Sequence, residues 1–184
     1  MRPLANLFLR AKHWQLFFLL VVVPFVLEVS ATEYIPTPIR SWRDVGPGRL
    51  IYFGLMYIDM LCFVGWLWAM GSFLNSIQKQ GVKLKLSFFR LALIYPPVYV
   101  VVFLAAFNTP ELPIQVVLPL HVLAIFCLLY CFYFVARSLA TVNKGKEVAF
   151  TDYAKPLILL YFFPIGIWSI QPRINQLYAE NRNP

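Results

Sequence analysis

Long runs of hydrophobic positions, separated by short polar segments, dominate this chain. Four of the runs approach or exceed the roughly 20 residues that a helix needs to cross about 30 Å of hydrocarbon, and they cover residues 14–31, 50–74, 88–107 and 112–136. A fifth run, 156–170, has only fifteen residues. The pattern predicts an all-α integral membrane protein with four transmembrane helices and a shorter C-terminal membrane segment, forming one transmembrane domain over residues 1–184.

Lysine and arginine are distributed unequally between the segments that connect these runs. The N-terminal segment and segments 75–90 and 137–155 lie on one side of the predicted membrane and hold eleven Lys and Arg, whereas the 31–49 loop on the other side holds three. Cytoplasmic loops carry an excess of positive charge. The N-terminus is therefore predicted to be cytoplasmic, in a bacterial inner membrane, and the first run is expected to be an uncleaved span because it exceeds the usual signal-peptide core.

The fifth run is interrupted by Pro164 and Gly166. Proline removes a backbone donor and glycine loosens the following turn, so we expect a broken helix. A run of this length suits either a short span or a re-entrant segment. Because two more arginines follow it, a segment that turns back gives thirteen positive charges inside against three outside, and one that spans gives eleven against five. The charge bias favours a re-entrant segment and a cytoplasmic C-terminus.

The composition supports a membrane location and favours membrane lipid over nucleic acid as the partner of the basic residues. The chain is 60% hydrophobic and 13% charged, a balance that leaves too little polar surface for a soluble domain. Its net charge of +8 would suggest nucleic acid in a soluble protein, but here the basic residues flank apolar runs, so membrane lipid is the expected partner. Cys127 and Cys131 are four apart and are expected to pack rather than bind metal. No cofactor is expected.

Ionisable residues inside the spans cost about 3 kcal/mol each on insertion scales and are candidate functional residues by default. Asp59 and His121 each lie nine residues into a span, roughly 13 Å along its helix, and Glu28 lies near the outer end of the first span. All three are expected in the outer half of the bilayer, where they would meet and hold a proton, a cation or a polar ligand. Packing residues, or an interfacial Glu28, remain the alternative.

Prolines and small residues give weaker indications of helix shape and packing. Prolines within the spans would kink the bundle and so place a water-filled crevice near Tyr95 and Tyr99. The alternative is that these prolines only shape helix packing. Gly65 and Ala69 form a small-xxx-small pair that permits close helix approach. The prolines that remove a backbone hydrogen bond lie in three of the four spans and are Pro24, Pro96, Pro97 and Pro119.

Three stretches resemble a family of small multi-span membrane proteins of Bacteroidetes-type bacteria to which no activity is attributed. They are "AKHWQLFFL" at 11–19, "PLHVLAIFCLLYCFYFVA" at 119–136 and "FFPIGIWSIQPRIN" at 162–175. The resemblance covers most of the chain outside the 31–49 and 75–87 loops. It departs from the family's usual form at Ser169, where a bulky aromatic is more typical. The resemblance implies a bacterial membrane location and supplies no mechanism.

Three classes of function remain open at this point. A phosphate-binding loop, a His/Glu zinc motif and a nucleophile elbow are all absent from the sequence, and the loops are short. The sequence therefore favours a non-enzymatic membrane subunit, acting as a homo-oligomer or in a larger complex. The alternatives are a small channel or an ion- or proton-coupled carrier that uses Asp59 and His121, and a ligand receptor or intramembrane enzyme.

Overall fold

A computed structural model describes residues 3–32, 47–78, 84–106 and 114–181, and every regular element in these ranges is helical. The helices are α1 (Pro3–Arg10), α2 (His13–Phe17), a π-helical turn (Phe18–Val22), α3 (Val23–Thr32), α4 (Pro47–Ile77), α5 (Leu86–Ala106), α6 (Ile114–Lys144), α7 (Phe150–Tyr161) and α8 (Phe163–Glu180).

Four helical segments are long and apolar enough to span a membrane: His13–Ser30, Leu50–Ile77, Leu86–Leu104 and Ile114–Lys144. They confirm the prediction of four helices that are long and apolar enough to span a membrane. The last one continues past its predicted end at residue 136. Arg137 does not end the helix because its guanidinium donates to the Tyr133 hydroxyl at 2.6 Å, and the next turn, which includes Ser138 and Leu139, is buried.

The first of these four segments contains a π-helical turn that ends two residues before Pro24. Pro24 has no N–H to donate to the Leu20 carbonyl, so the α-helical ladder is broken there. The backbone responds with a wider turn, in which the Val23 N–H donates to the Phe18 carbonyl. By contrast, α5 continues as one helix through Pro96 and Pro97.

The buried core lies in one half of the bundle, which we call the packed half. This half holds the buried side chains of residues 66–78, 131–141 and 160–177, of the N-terminal turns and of the start of α5, and its largest fully buried side chains include Trp66, Phe89 and Phe134. The opposite half, which we call the open half, comprises α3 and residues 50–62, 94–104 and 114–130. Its large hydrophobic side chains are mostly exposed, as at Phe25, Ile58 and Phe126.

The C-terminal helices α7 and α8 pack into the packed half. Gly145, in the left-handed region with φ of +65°, ends α6 and lets the chain turn towards α7. After the turn at Phe162, α8 runs beside α4 in the same direction. Three successive contacts show this alignment: Phe63 with Phe163 at 5.0 Å between ring centroids, Trp66 with Gln171, and Phe73 with Tyr178 at 5.5 Å.

The predicted break in the C-terminal segment is present, but its position differs slightly from the expected one. The helix stops at Phe162, and Pro164 lies in the first turn of α8, where its missing N–H costs little. Gly166 has a steric role: a Cβ atom there would lie 1.8 Å from the carbonyl oxygen of Leu159. Only a residue without a side chain lets α8 start so close to the end of α7.

Candidate functional site

Glu28 lies on the exposed face of α3 near its end. The hydroxyl group of Tyr52, in the first part of α4, donates a hydrogen bond to its carboxylate. This contact joins the first two of the four long apolar segments in the open half. Glu28 therefore already has a partner within the chain, and that partner is neither Asp59 nor His121.

His121 lies on an exposed face of α6 and pairs with an aromatic side chain of α5. Its Nδ1 atom is 3.3 Å from the Tyr99 hydroxyl, and the two ring centroids are 5.8 Å apart. One turn earlier on α5, the Tyr95 hydroxyl donates to the Leu120 carbonyl at 3.2 Å. The rings of Tyr95 and Tyr99 lie nearly parallel at 6.2 Å. These two tyrosines and His121 therefore form one polar seam between α5 and α6.

Asp59 is half-buried on α4, on the helix face that also carries Phe63 and Trp66 at spacings of four and seven residues. Its Oδ1 atom is buried and has no hydrogen-bond partner among the residues that the structure describes. A buried carboxylate oxygen without a donor is costly, and among the buried side-chain atoms without a partner in the described ranges only this one belongs to a carboxylate.

No hydrogen bond or ion pair within the described ranges joins the three ionisable residues that the sequence predicts to lie together. Glu28 bonds to Tyr52 and His121 pairs with Tyr99, while one oxygen of Asp59 has no partner. Within the described ranges, no group of three His, Cys, Asp or Glu residues is arranged to hold a metal ion. Counting residues along a span gives the depth of a side chain but not the direction in which it projects from its helix.

Gln171 of α8 is a fully buried polar residue that the pattern of hydrophobic positions did not indicate. Its Oε1 atom accepts a hydrogen bond from the Trp66 indole at 2.9 Å. Its Nε2 atom donates to the backbone carbonyls of Phe8 and Ala11, both at 2.9 Å. One side chain thus connects α8 with α4 and with the end of α1.

Asn175, one turn after Gln171, supports the same junction. Its side-chain nitrogen donates to the carbonyls of Leu9 at 2.7 Å and Ala11 at 3.2 Å. The last carbonyls of a helix have no partner within that helix, and α1 ends at Arg10. The two amides of α8 therefore cap α1. The spacing of Gln171 and Asn175, four residues apart on one helix face, is the sequence feature that could have indicated this pair.

A groove of about 760 Å³ lies between α1, α4 and α5, and Gly65 and Ala69 both line it. The helix that approaches the small-xxx-small pair is α1, because a Cβ on Gly65 would lie 2.9 Å from the Phe8 ring. The groove is apolar along most of its length, with Arg90 and Ser76 among its polar residues. Its lining is suited to a hydrocarbon chain or an apolar side chain.

Comparisons with protein-family models, with curated proteins and with solved structures find no match to this chain.

Proposed function

We propose that this chain is a non-enzymatic subunit of a bacterial inner membrane, acting as a homo-oligomer or as part of a larger membrane complex. The observation that carries the proposal is the exposure of Glu28 and His121 on the open half. Both residues lie within segments that are long and apolar enough to span a membrane. A second protein surface would cover them in the membrane.

The energetic argument compares lipid with protein as the neighbour of these residues. An ionisable side chain inside a span costs about 3 kcal/mol, and such residues almost always face the interior of a bundle or an aqueous cavity. In the isolated chain, Glu28 and His121 each have one tyrosine partner and are otherwise exposed. Polar side chains hydrogen-bond across helix interfaces in membranes. A neighbouring subunit supplies such an interface, and lipid does not.

In this proposal, α7 and α8 form a re-entrant hairpin and both termini face the cytoplasm. Phe163, next to the turn, contacts Phe63 near the middle of α4. At the other end of α8, Tyr178 donates a hydrogen bond to Asn6 of α1 at 2.9 Å. The hairpin therefore reaches the middle of a spanning helix and returns to the end where the chain begins. The excess of Lys and Arg at that end supports its cytoplasmic placement.

Photo-cross-linking in living cells tests whether the open half faces protein. A photoreactive amino acid replaces Ile125, which is exposed one turn after His121 on α6. The matched control places it at Leu91 on α5, which is also exposed and hydrophobic but lies at the packed half. We expect a discrete cross-linked protein band from position 125, at the mass of a dimer or of a complex with another membrane protein. The band should weaken when His121→Leu is added.

Two results would count against this proposal. One is the absence of a protein band at position 125 when the chain is expressed at its natural level. The other is equal cross-linking at positions 125 and 91, which indicates random collision. A band that persists unchanged with His121→Leu would show an interface that does not depend on the seam between α5 and α6.

A second candidate function, a channel or proton-coupled carrier, is favoured by the unpartnered Oδ1 atom of Asp59. Carboxylates in proton and cation pathways are commonly found within spans. Purified protein in liposomes tests this function through a pH-sensitive dye. If the chain carries protons, Asp59→Asn abolishes the flux, and Glu28→Gln, which removes a carboxylate already bonded to Tyr52, leaves it. Absence of flux through the unmodified protein rejects the carrier.

A further inference from the structure

A cavity of about 400 Å³ lies between the end of α6, the first turns of α7 and the middle of α8. Its floor is apolar and includes Leu139, Leu159 and Ile170, whereas its rim carries Lys144, Lys155 and Arg173. The cavity belongs to the packed half and is remote from the exposed residues on which the proposed function rests. It combines hydrocarbon-like walls with a cluster of positive charge at one end of the spanning helices.

Arg173 is held in place by neutral acceptors. Its Nε and Nη2 atoms donate to Oδ1 of Asn143 at 2.9 and 2.7 Å, and its Nη1 atom donates to Oε1 of Gln176 at 2.8 Å. A guanidinium group has five N–H donors, so two of them remain after these three bonds. The amides fix the orientation of the side chain without neutralising its charge.

The remaining charges at the rim do not cancel. Lys144 pairs with Asp152, and this hydrogen bond is the main cause of the lowered pKa of the Asp152 carboxyl group. That pair is neutral. The ion pairs formed within the described ranges involve neither Lys155 nor Arg173. The rim therefore keeps two positive charges, one on a lysine and one on a preorganised arginine.

We propose that this cavity binds a phosphate ester, with Arg173 and Lys155 as its charged donors. Arginine presents paired donors that match phosphate oxygens, and lysine adds a mobile point charge. Ser169 and Asn143 also line the cavity and offer neutral polar groups. The apolar floor suits the first methylene groups of the acyl chains of an anionic phospholipid. A soluble phosphate ester offers the same charged group without the hydrocarbon.

The test uses the full chain in lipid nanodiscs and measures the midpoint of thermal unfolding and the lipid retained in native mass spectrometry. One arm compares discs of phosphatidylcholine alone with discs that contain phosphatidylglycerol. The other arm adds inorganic phosphate or glycerol 3-phosphate to phosphatidylcholine discs. The main variant is Lys155→Ala, because Lys155 is exposed and its removal leaves the core intact. The matched control is Lys146→Ala, which removes the same charge from an exposed residue outside the cavity lining.

We expect phosphatidylglycerol to raise the unfolding midpoint and to be retained, and Lys155→Ala to weaken retention about tenfold, the loss expected for one charge-assisted hydrogen bond. Arg173→Gln should weaken it further, with folding checked separately because Arg173 also contacts α6. Stabilisation by the soluble phosphates alone would identify a soluble ester as the ligand. No response in either arm would overturn the proposal, as would an equal loss in Lys146→Ala, which indicates a general surface-charge effect.

Discussion

Replacing Gln171 with leucine should destabilise the packed half strongly, although the two side chains are similar in size. In the native structure, the Gln171 amide serves the Trp66 indole and the carbonyls of Phe8 and Ala11. Leucine offers neither donor nor acceptor, so these groups lose that partner. The substitution therefore separates the role of hydrogen bonding at this position from the role of shape.

The expected magnitude follows from the groups left without partners. The Ala11 carbonyl keeps a hydrogen bond from Asn175 at 3.2 Å, so two groups are left, the Trp66 N–H and the Phe8 carbonyl. A buried polar group that loses its partner costs about 1–3 kcal/mol. Because the Phe8 contact is only part-buried, we expect a total loss of about 2–4 kcal/mol in the free energy of unfolding.

Unfolding by sodium dodecyl sulphate in mixed micelles, followed by tryptophan fluorescence, measures this loss. The matched control is Gln176→Leu on the same helix, because Gln176 is exposed and its contacts to Arg173 and Glu180 lie at the surface. That variant should change the free energy of unfolding by less than about 0.5 kcal/mol. Gln171→Leu must shift the unfolding midpoint well beyond the control.

A double-mutant cycle with Trp66→Phe identifies the Trp66–Gln171 hydrogen bond as the cause. Once the indole N–H is gone, Gln171→Leu no longer leaves it unpaired, so its cost should fall by about 1–3 kcal/mol. Two results would refute the reasoning. One is an unfolding midpoint for Gln171→Leu equal to that of the unmodified protein, and the other is strictly additive effects in the cycle.

Two further predictions concern the turn into α8 and the segment that joins α6 to α7. Gly166→Ala should lower the free energy of unfolding by about 3 kcal/mol, the upper end for overpacking, because its Cβ would lie 1.8 Å from the Leu159 carbonyl oxygen. The control is Gly54→Ala, which has nothing within 4 Å of its Cβ and should not destabilise the protein. If both variants unfold alike in the same micelle assay, Gly166 has no steric role. Asp152 has a lowered pKa in the fold because the Lys144 ammonium donates to it. The contribution of Asp152 to the stability of the fold is therefore present above its unfolded pKa and is lost as pH falls through the lower folded pKa. Lys144→Ala should raise the Asp152 pKa measured by carboxyl-carbon NMR, and an unchanged pKa would contradict this cause.

The four helices long and apolar enough to span a membrane were predictable from the sequence because their cause is local. Lipid as a solvent requires continuous apolar runs with internally satisfied backbones, and such runs are visible without any knowledge of packing. The break before Pro164 was also predictable, since proline and glycine act on their own turn. The end of α6 was not, because Arg137 looks like a loop residue until Tyr133 is seen to accept its hydrogen bond.

The candidate site was harder to predict because it depends on helix rotation. The depths of Glu28, Asp59 and His121 follow from counting residues, but the faces from which they project are set by how α3, α4 and α6 pack. The burial of Gln171 could not be predicted for the same reason, because it also depends on how the helices pack. A glutamine near the end of a membrane segment is ordinarily an interfacial residue, and only the docking of α1 against α8 makes it a buried partner for three groups.

The mass of the particle extracted directly into native lipid discs tests the central claim, that the open half is covered by another protein subunit. The chain is expressed at its natural level, extracted with its surrounding lipid, and measured by mass photometry and by native mass spectrometry after the disc is removed. We predict the mass of two or more copies of the 21.3 kDa chain, or a larger mass that includes a second membrane protein. A single 21.3 kDa chain as the sole protein species would contradict the claim.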